Sequence, residues 1–255
     1  LKKVRFLLYL HSNAYYSADK GIKEWVYARL LRSAARHSAK IVAISHSVAE
    51  SYLRRYHLPK DKMQVVYNGT DLHRFIPHPA HTDTPLRLIY VGRIIRDKGI
   101  DLLLEALAAC PTDTPITLTL VGSDHGGYTE QMQALTARLH LEDKVQFLGS
   151  RTDVPQLLQA ADLFVHPATC QEGFGITLIE AMASGVPCLA FPKGAIPEII
   201  GPEIDGFLTE EVSDAALTAG INRALELFTK APHHWHTLCK NARQKAELFS
   251  IERTV

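Results

Sequence analysis

The sequence predicts an α/β protein of two doubly wound domains with parallel sheets, the first of them incomplete. Two observations carry this. Short β-branched or leucine-rich runs alternate with longer runs of helical period, the pattern of parallel strands joined by crossover helices. A single proline- and histidine-rich stretch interrupts the alternation, which then restarts.

In order, the first half reads as strand VRFLLYL, helix IKEWVYARLLRSAARHS, strand KIVAISHS, helix VAESYLRRY and strand MQVVYN. Residues 71–85 contain HRFIPHPAHTDTP, too polar and too broken by proline to form an element, and are expected to link a domain over 1–70 to one over 86–255. The second half reads as strand LRLIYVG, helix KGIDLLLEALAAC, strand ITLTLVG, helix YTEQMQALTARLH, strand VQFLG, short helix VPQLLQAA, strand DLFVHP, helix ITLIEAMASG and strand VPCLAF. Five strands with four intervening helices make a complete doubly wound sheet. The closing runs DAALTAGINRALELF and HHWHTLCKNARQKAELF are amphipathic helices that would cover its face or return toward the first domain. The first domain, with two or three strands, would need roughly 100 further residues before Leu1. The chain opens on Leu and stops at FSIERTV, where helical text starts, so truncation at both ends is expected.

With 255 residues, 46% hydrophobic, the chain can bury one large core or two small ones. The balance of 28 Lys+Arg against 27 Asp+Glu provides no field to gather nucleic acid. Cys110, Cys170, Cys188 and Cys239 are scattered, which argues against a zinc site or disulfide frame and suits a reducing, cytoplasmic compartment. No apolar run reaches the ~18 residues of a membrane span. No complete G-x-G-x-x-G follows the first strand of either half, which disfavours a dehydrogenase.

In open α/β sheets ligands sit beyond the carboxyl ends of the strands. Three loops there carry chemistry. In VGRIIRDKG, Gly92 lets a ligand approach the backbone, and Arg93 and Lys98 can converge on one anion such as a diphosphate; the plain alternative is two solvated charges at a helix start. In TCQEGFGITLIEAMASG, Gly173 and Gly175 flank Phe174 before a helix whose N-terminus favours an anion. Glu172 stays in the loop while Glu180 falls in the second helical turn, so the two carboxylates can hold different parts of one hydroxyl-rich ligand, a ribose and a hexose. The alternative is a dipole-favoured Glu172 and an ordinary Glu180. In KGAIPEII, Gly194 follows a strand, Pro197 suits a first helical position and Glu198 sits in the first turn, either for a ligand or for helix capping.

Taken in order, YNGTDLHRF, VGRIIRDKG, VQFLG, EGFGITLIEAMASGVP, IPEII and DGFL resemble the group 1 retaining glycosyltransferases of the GT-B kind, two Rossmann-like domains, over about residues 5 to 250. The resemblance implies transfer of a sugar from a nucleotide-diphosphate sugar, the co-substrate in place of any cofactor, to a saccharide or lipid acceptor. It implies that Arg93 and Lys98 bind the donor diphosphate, that Glu180 binds the ribose, and that Glu172 with the backbone of Phe174, Gly175 and Ile176 holds the sugar and phosphate. His11 falls where the family places a histidine near the transferred sugar. The sequence departs from the family at Ala195, where a second glycine is frequent, and it lacks the N-terminal glycine loop that forms part of the acceptor site.

Charge developing on the departing phosphate would be met by Arg93, Lys98 and the helix N-terminus near Gly175. No Asp-any-Asp pair is present to chelate a divalent metal, so metal independence is expected, with the leaving phosphate taking the acceptor proton. Three other readings compete. A glycosidase pair of Glu172 and Glu180 leaves Arg93 and Lys98 without a role; a nucleotide-sugar epimerase shares the fold; a donor-domain fragment would bind nucleotide without transfer. His233, His234 and His236 read as a polar helix start rather than a metal site. The helical run 22–40 sets Lys23, Arg29, Arg32, Arg36 and Lys40 beside Trp25 and Leu30, which suits either an anionic membrane surface or packing on the sheet with the charges in water.

Overall fold

The computed structural model describes residues 6–14, 21–77, 83–111, 113–124 and 126–254. A small sheet comes first: β1 (Leu7–Leu10), α1 (Ile22–His37), β2 (Lys40–Ala43), α2 (His46–Tyr56) and β3 (Met63–Val65), with the strands parallel in the order β1-β2-β3. Lys40, grouped with the helical charges on sequence, stands at the start of β2 instead. Helix α2 starts where Ser45 accepts a hydrogen bond from the Val48 N–H (3.0 Å), and stops at His57, which is in the left-handed conformation.

The second sheet has six strands: β4 (Leu86–Val91), β5 (Ile116–Val121), β6 (Val145–Gly149), β7 (Leu163–His166), β8 (Cys188–Ala190) and β9 (Gly206–Leu208). All pair in parallel in the order β6-β5-β4-β7-β8-β9, the doubly wound arrangement. The expectation of five strands was one short: β9 is three residues long, and its text DGFL carries no alternation to reveal it. Helices α3 (Ile100–Ala109), α4 (Tyr128–Arg138), α5 (Val154–Gln159), α6 (Ile176–Ala183) and α7 (Ile196–Ile199) join the strands. Helices α8 (Asp214–Lys230) and α9 (Pro232–Ala246) follow, then α10 (Ile251–Thr254). His233, His234 and His236 lie at the exposed start of α9, as a polar helix start requires, with Trp235 buried between them.

Strand alternation divides the apolar side chains of the second sheet between two clusters. Leu86, Leu88 and Tyr90 of β4 face one way, into a core shared with α3, α8 and Trp235. Ile89 and Val91 face the other, and that cluster runs without a break through α6 and α7 into Ile41, Ala43, Val48 and Tyr52 of the first sheet. The two sheets therefore share one apolar seam. Phe75, within the proline-rich stretch expected to link domains, is buried in this seam, and Arg243 donates to the Phe75 and Ala183 carbonyls (2.8 and 2.6 Å). The chain end is tied in as well: the Thr70 N–H donates to the Phe249 carbonyl and the Ile251 N–H to the Thr70 carbonyl.

Candidate functional site

After β4 the chain goes to β5 on one side, and it later returns to β7 on the other, so the carboxyl ends of β4 and β7 flank the switch point of the sheet. The loops after these strands are bound together there. The Asp97 carbonyl accepts from the Thr169 N–H (3.0 Å) and the Thr169 hydroxyl (3.3 Å). A Cβ on Gly99, in the left-handed region at φ 64°, would stand 2.1 Å from the Pro167 carbonyl oxygen, so only glycine permits this approach.

The approach brings Lys98, from a 3-10 turn ahead of α3, to Glu172, 74 residues later in sequence: Lys98 Nζ lies 2.5 Å from Glu172 Oε2. The same oxygen lies 3.3 Å from Nε2 of His166, the last residue of β7 and only 4% exposed. Burial would raise the Glu172 carboxyl, but the His166 hydrogen bond and the Lys98 charge outweigh it and bring its pKa down to about 2. Burial likewise holds His166 below its ordinary 6.5, against the pull of Glu172. A neutral His166 therefore carries its proton on Nε2, facing Glu172. Its Nδ1 is then a buried acceptor without a hydrogen-bond partner among the described residues.

Next to this cluster Gly175 caps α6 in the left-handed conformation (φ 94°), with Phe174 buried and Ile176 exposed. Glu180 lies in the second turn of α6, as expected; burial raises its carboxyl, opposed by the charge of Arg74. Gly92 and Arg93 follow β4, and the buried Tyr90 hydroxyl donates to the Arg93 carbonyl (2.7 Å), fixing the turn. The Arg93 side chain is exposed. Lys98 is engaged by Glu172.

The first sheet closes over this loop. A Cβ on Gly173 would meet the His11 carbonyl at 3.3 Å, Asn13 Nδ2 donates to the Gln171 carbonyl (3.1 Å), and the Ser45 hydroxyl donates to the Gly173 carbonyl (2.8 Å). His11 is exposed, its ring 4.4 Å from that of Tyr9. The remainder of its segment, residues 15–20, lies outside the described residues.

With this geometry in place the comparisons with known proteins become decisive. The model of the Glycosyl transferases group 1 family matches residues 74–245, more than half of the chain. The chain belongs to that family. The Glycosyltransferase Family 4 model matches residues 1–74. The group 1 chain is 30% identical over 236 residues to N-acetyl-alpha-D-glucosaminyl L-malate synthase of Bacillus anthracis, covering 89% of this chain and 60% of that protein. It is also 30% identical over 240 residues to D-inositol 3-phosphate glycosyltransferase of Salinispora tropica, covering 85% of this chain and 49% of the relative. It thus spans between half and three fifths of the length of these relatives. Among solved structures it superposes on Anabaena HepE in complex with UDP with a TM-score of 0.86 at 27% identity, covering 98% of this chain and 70% of that one. Sucrose-phosphate synthase from Thermosynechococcus elongatus gives a TM-score of 0.80 at 29% identity, covering 97% and 64%. The fold is the α/β, parallel-sheet architecture of GT-B glycosyltransferases.

Two further residues of this loop cluster were not given the roles the structure shows. His166 was hidden inside an apolar strand run, where only its position as the last strand residue marks it. Glu198, taken as a residue for ligand or for capping its own helix, instead accepts from the His46 and Ser47 N–H groups at the start of α2 (2.9 and 2.7 Å), across 152 and 151 residues of sequence. The departure at Ala195 is accommodated: its φ is −83°, its side chain is buried, and its N–H donates to the Glu172 carbonyl (2.9 Å). The closest approach falls on Gly194 instead, whose missing Cβ would lie 2.0 Å from that same carbonyl oxygen. Among the described residues no group of three His, Cys, Asp or Glu could hold a metal ion, and no helix is long and apolar enough to cross a membrane.

Proposed function

We propose that this chain is the donor-binding part of a glycosyltransferase that takes a sugar from a nucleotide-diphosphate sugar. The observation that supports it most is the Lys98–Glu172–His166 cluster at the switch point, beside the N-terminus of α6. In this reading Lys98 and Arg93 meet the diphosphate, with the N-terminal end of α6 adding its partial positive charge. Glu172, ionised at any physiological pH, accepts hydrogen bonds from sugar hydroxyls, and Glu180 does the same for the ribose. The neutral cluster of one cation and one carboxylate leaves Arg93 to supply net positive charge as the phosphate departs. His11, on the loop after β1, stands on the sugar side. Gly92, Phe174, Gly175 and Ile176 shape the wall by backbone.

We further propose transfer with retention of configuration, without a metal ion, the leaving phosphate taking the acceptor proton. A saccharide or a lipid is the acceptor class. The exposed α1 face, where Trp25 and Leu30 are 59% and 64% exposed among Lys23, Arg29 and Arg36, suits contact with an anionic lipid surface in a cytoplasmic protein. Sedimentation with phosphatidylglycerol vesicles but not with phosphatidylcholine vesicles is the expected outcome for that contact.

Titration calorimetry with UDP, GDP and ADP in EDTA tests the donor site. UDP is a sound first probe because the Anabaena neighbour is a UDP complex at 27% identity. Saturable binding of one diphosphate, lost in Glu180→Ala and Lys98→Ala, is expected. Absence of binding to all three, or binding that appears only with added divalent metal, would overturn the reading.

A further inference from the structure

We infer that Glu198 is a positioning residue, which ties the first turn of α2 to the donor turn and thereby sets where the loops of the first sheet stand over the sugar. The inference rests on the donor-site reading above, since the hydrogen bonds of Glu198 go to His46, Ser47 and Tyr67 rather than to the residues assigned to the donor.

Glu198 belongs to a closed ring of contacts. Both carboxylate oxygens of Glu198 are engaged by α2, one by the Ser47 N–H at 2.7 Å, the other by the His46 N–H at 2.9 Å and the Tyr67 hydroxyl at 3.0 Å. These are two of the amides that a helix leaves without intrahelical partners, and a carboxylate there gains from the helix dipole as well as from charge-assisted bonds. The Ser47 hydroxyl donates to Asn13 Oδ1 (3.2 Å), and Asn13 Nδ2 donates to the Gln171 carbonyl (3.1 Å). Gln171 is the residue before Glu172. From Glu172 the ring returns: its carbonyl accepts from the Ala195 N–H, which opens the four-residue helix bearing Glu198. Starting at the backbone carbonyl of Glu172, the path runs through Glu198, α2 and Asn13 and arrives back one residue away. Ser45 adds a strut inside the ring, capping α2 while donating to the Gly173 carbonyl.

Tyr67 shows that the device belongs to the seam rather than to the surface. Besides donating to Glu198, its ring lies 5.8 Å from Phe174 of the donor turn and 5.4 Å from Phe249. Losing Glu198 therefore removes the carboxylate tie on the first turn of α2 but leaves the Ser45 strut, the Asn13 link and the aromatic packing in place, so the protein should fold while the sugar side loosens. The diphosphate side, built from Lys98, Arg93 and α6, has no member in the ring.

The test uses the whole chain with Glu198→Ala and Glu198→Gln. Amide exchange followed by NMR should speed up at least tenfold at His46 and Ser47 in Glu198→Ala, with partial recovery in Glu198→Gln, whose single acceptor oxygen can still hold one amide. Calorimetry with UDP and UDP-glucose should then show UDP binding within threefold of wild type, and the extra affinity contributed by the glucose reduced about tenfold in Glu198→Ala. Unchanged exchange at His46 and Ser47 would overturn the tie itself. Faster exchange with the glucose increment intact, or UDP and UDP-glucose weakened together, would overturn the positioning role while leaving the donor site standing. If the wild type bound neither UDP nor UDP-glucose, the donor reading would fail and the positioning role with it, and the exchange data would still report the tie.

Discussion

The two sheets of this molecule are built from the same strand and helix text, yet they differ in how completely they bury it. In the six-stranded sheet β4 has no exposed residue, and layers of helix cover both faces, as parallel strands require. In the three-stranded sheet β1 is an edge among the described residues, with Leu7 61% exposed, and α1 turns Ile22, Trp25 and Leu30 outward while burying Leu31 and Ala35. The charged site follows the same division: Lys98, Glu172 and His166 all belong to the well-covered sheet, and the first sheet contributes mainly the backbone and the small polar groups of His11, Asn13 and Ser45. Rigid burial is what lets a lysine, a carboxylate and a neutral histidine be held together at fixed distances.

The largest expected effect would break the comparison at the seam. Phe249, 4% exposed, packs on Tyr67 and Phe174 between the sheets. Phe249→Ala leaves a cavity there and should lower stability by about 3 kcal/mol in urea, in one transition. A loss below about 1 kcal/mol, or two separate transitions, would mean that the sheets are held independently of this seam. Second in size is the loss of the cation in the covered sheet. On the proposed donor reading Lys98→Ala removes a phosphate partner and leaves Glu172 buried beside a neutral histidine, so affinity for UDP should fall about 100-fold, ~2.7 kcal/mol. The exposed Arg93 should cost nearer tenfold when truncated, since solvent screens its charge. Equal losses in the two variants would contradict the ranking by burial.

Much of this organisation could be read in the sequence, and its limits have physical causes. The strands of the second sheet were visible because each is a bounded β-branched or leucine-rich run, and the glycine turn before α6 because a left-handed Gly175 and a following helical period are both local signals. Gly99 and Gly194 mark places where backbone must approach backbone, but a sequence shows the glycine and not the partner. For the same reason Lys98 was visible as a cation and not as the partner of a carboxylate 74 residues away, and His166 could not be distinguished from an ordinary strand residue. Glu198 is the clearest case: at the start of a short helix it looks like a local cap, whereas the orphan amides it satisfies belong to α2 in the other sheet. Contacts across the seam depend on how two separately wound units stack, and no periodicity within either unit encodes that.

The cluster also makes a prediction in pH. Glu172 has a depressed pKa in the folded chain, about 2 against an ordinary 4.5, so the stability it contributes is present above pH 4.5 and is lost as pH falls from 4.5 toward 2. Between pH 6 and pH 4 the wild type should lose about 1 kcal/mol more than Glu172→Gln, which cannot titrate there. All other carboxylates are common to both proteins, so the difference between their urea midpoints at the two pH values reads Glu172 together with His166, the ring it holds up against burial. Parallel losses would show that Lys98 and His166 do not hold the carboxyl in its charged form.

The smallest expected effect lies on the uncovered side. Trp25, on α1, is 59% exposed and the Arg29 guanidinium lies 5.6 Å from its ring, a solvent-exposed cation–π contact of modest worth. Trp25→Ala should therefore change stability by no more than about 0.5 kcal/mol, and Leu30→Ala by a similar amount, because most of each residue stays in water on folding of this chain. The outcome sharpens the comparison in either direction. A negligible change leaves α1 as a surface available to something other than its own sheet, with the basic residues around it setting the sign of what can dock. A loss of 2 kcal/mol or more, growing with protein concentration, would mean that a second copy covers the face in solution, and the difference between the sheets would then lie in which molecule completes the burial rather than in whether it is completed.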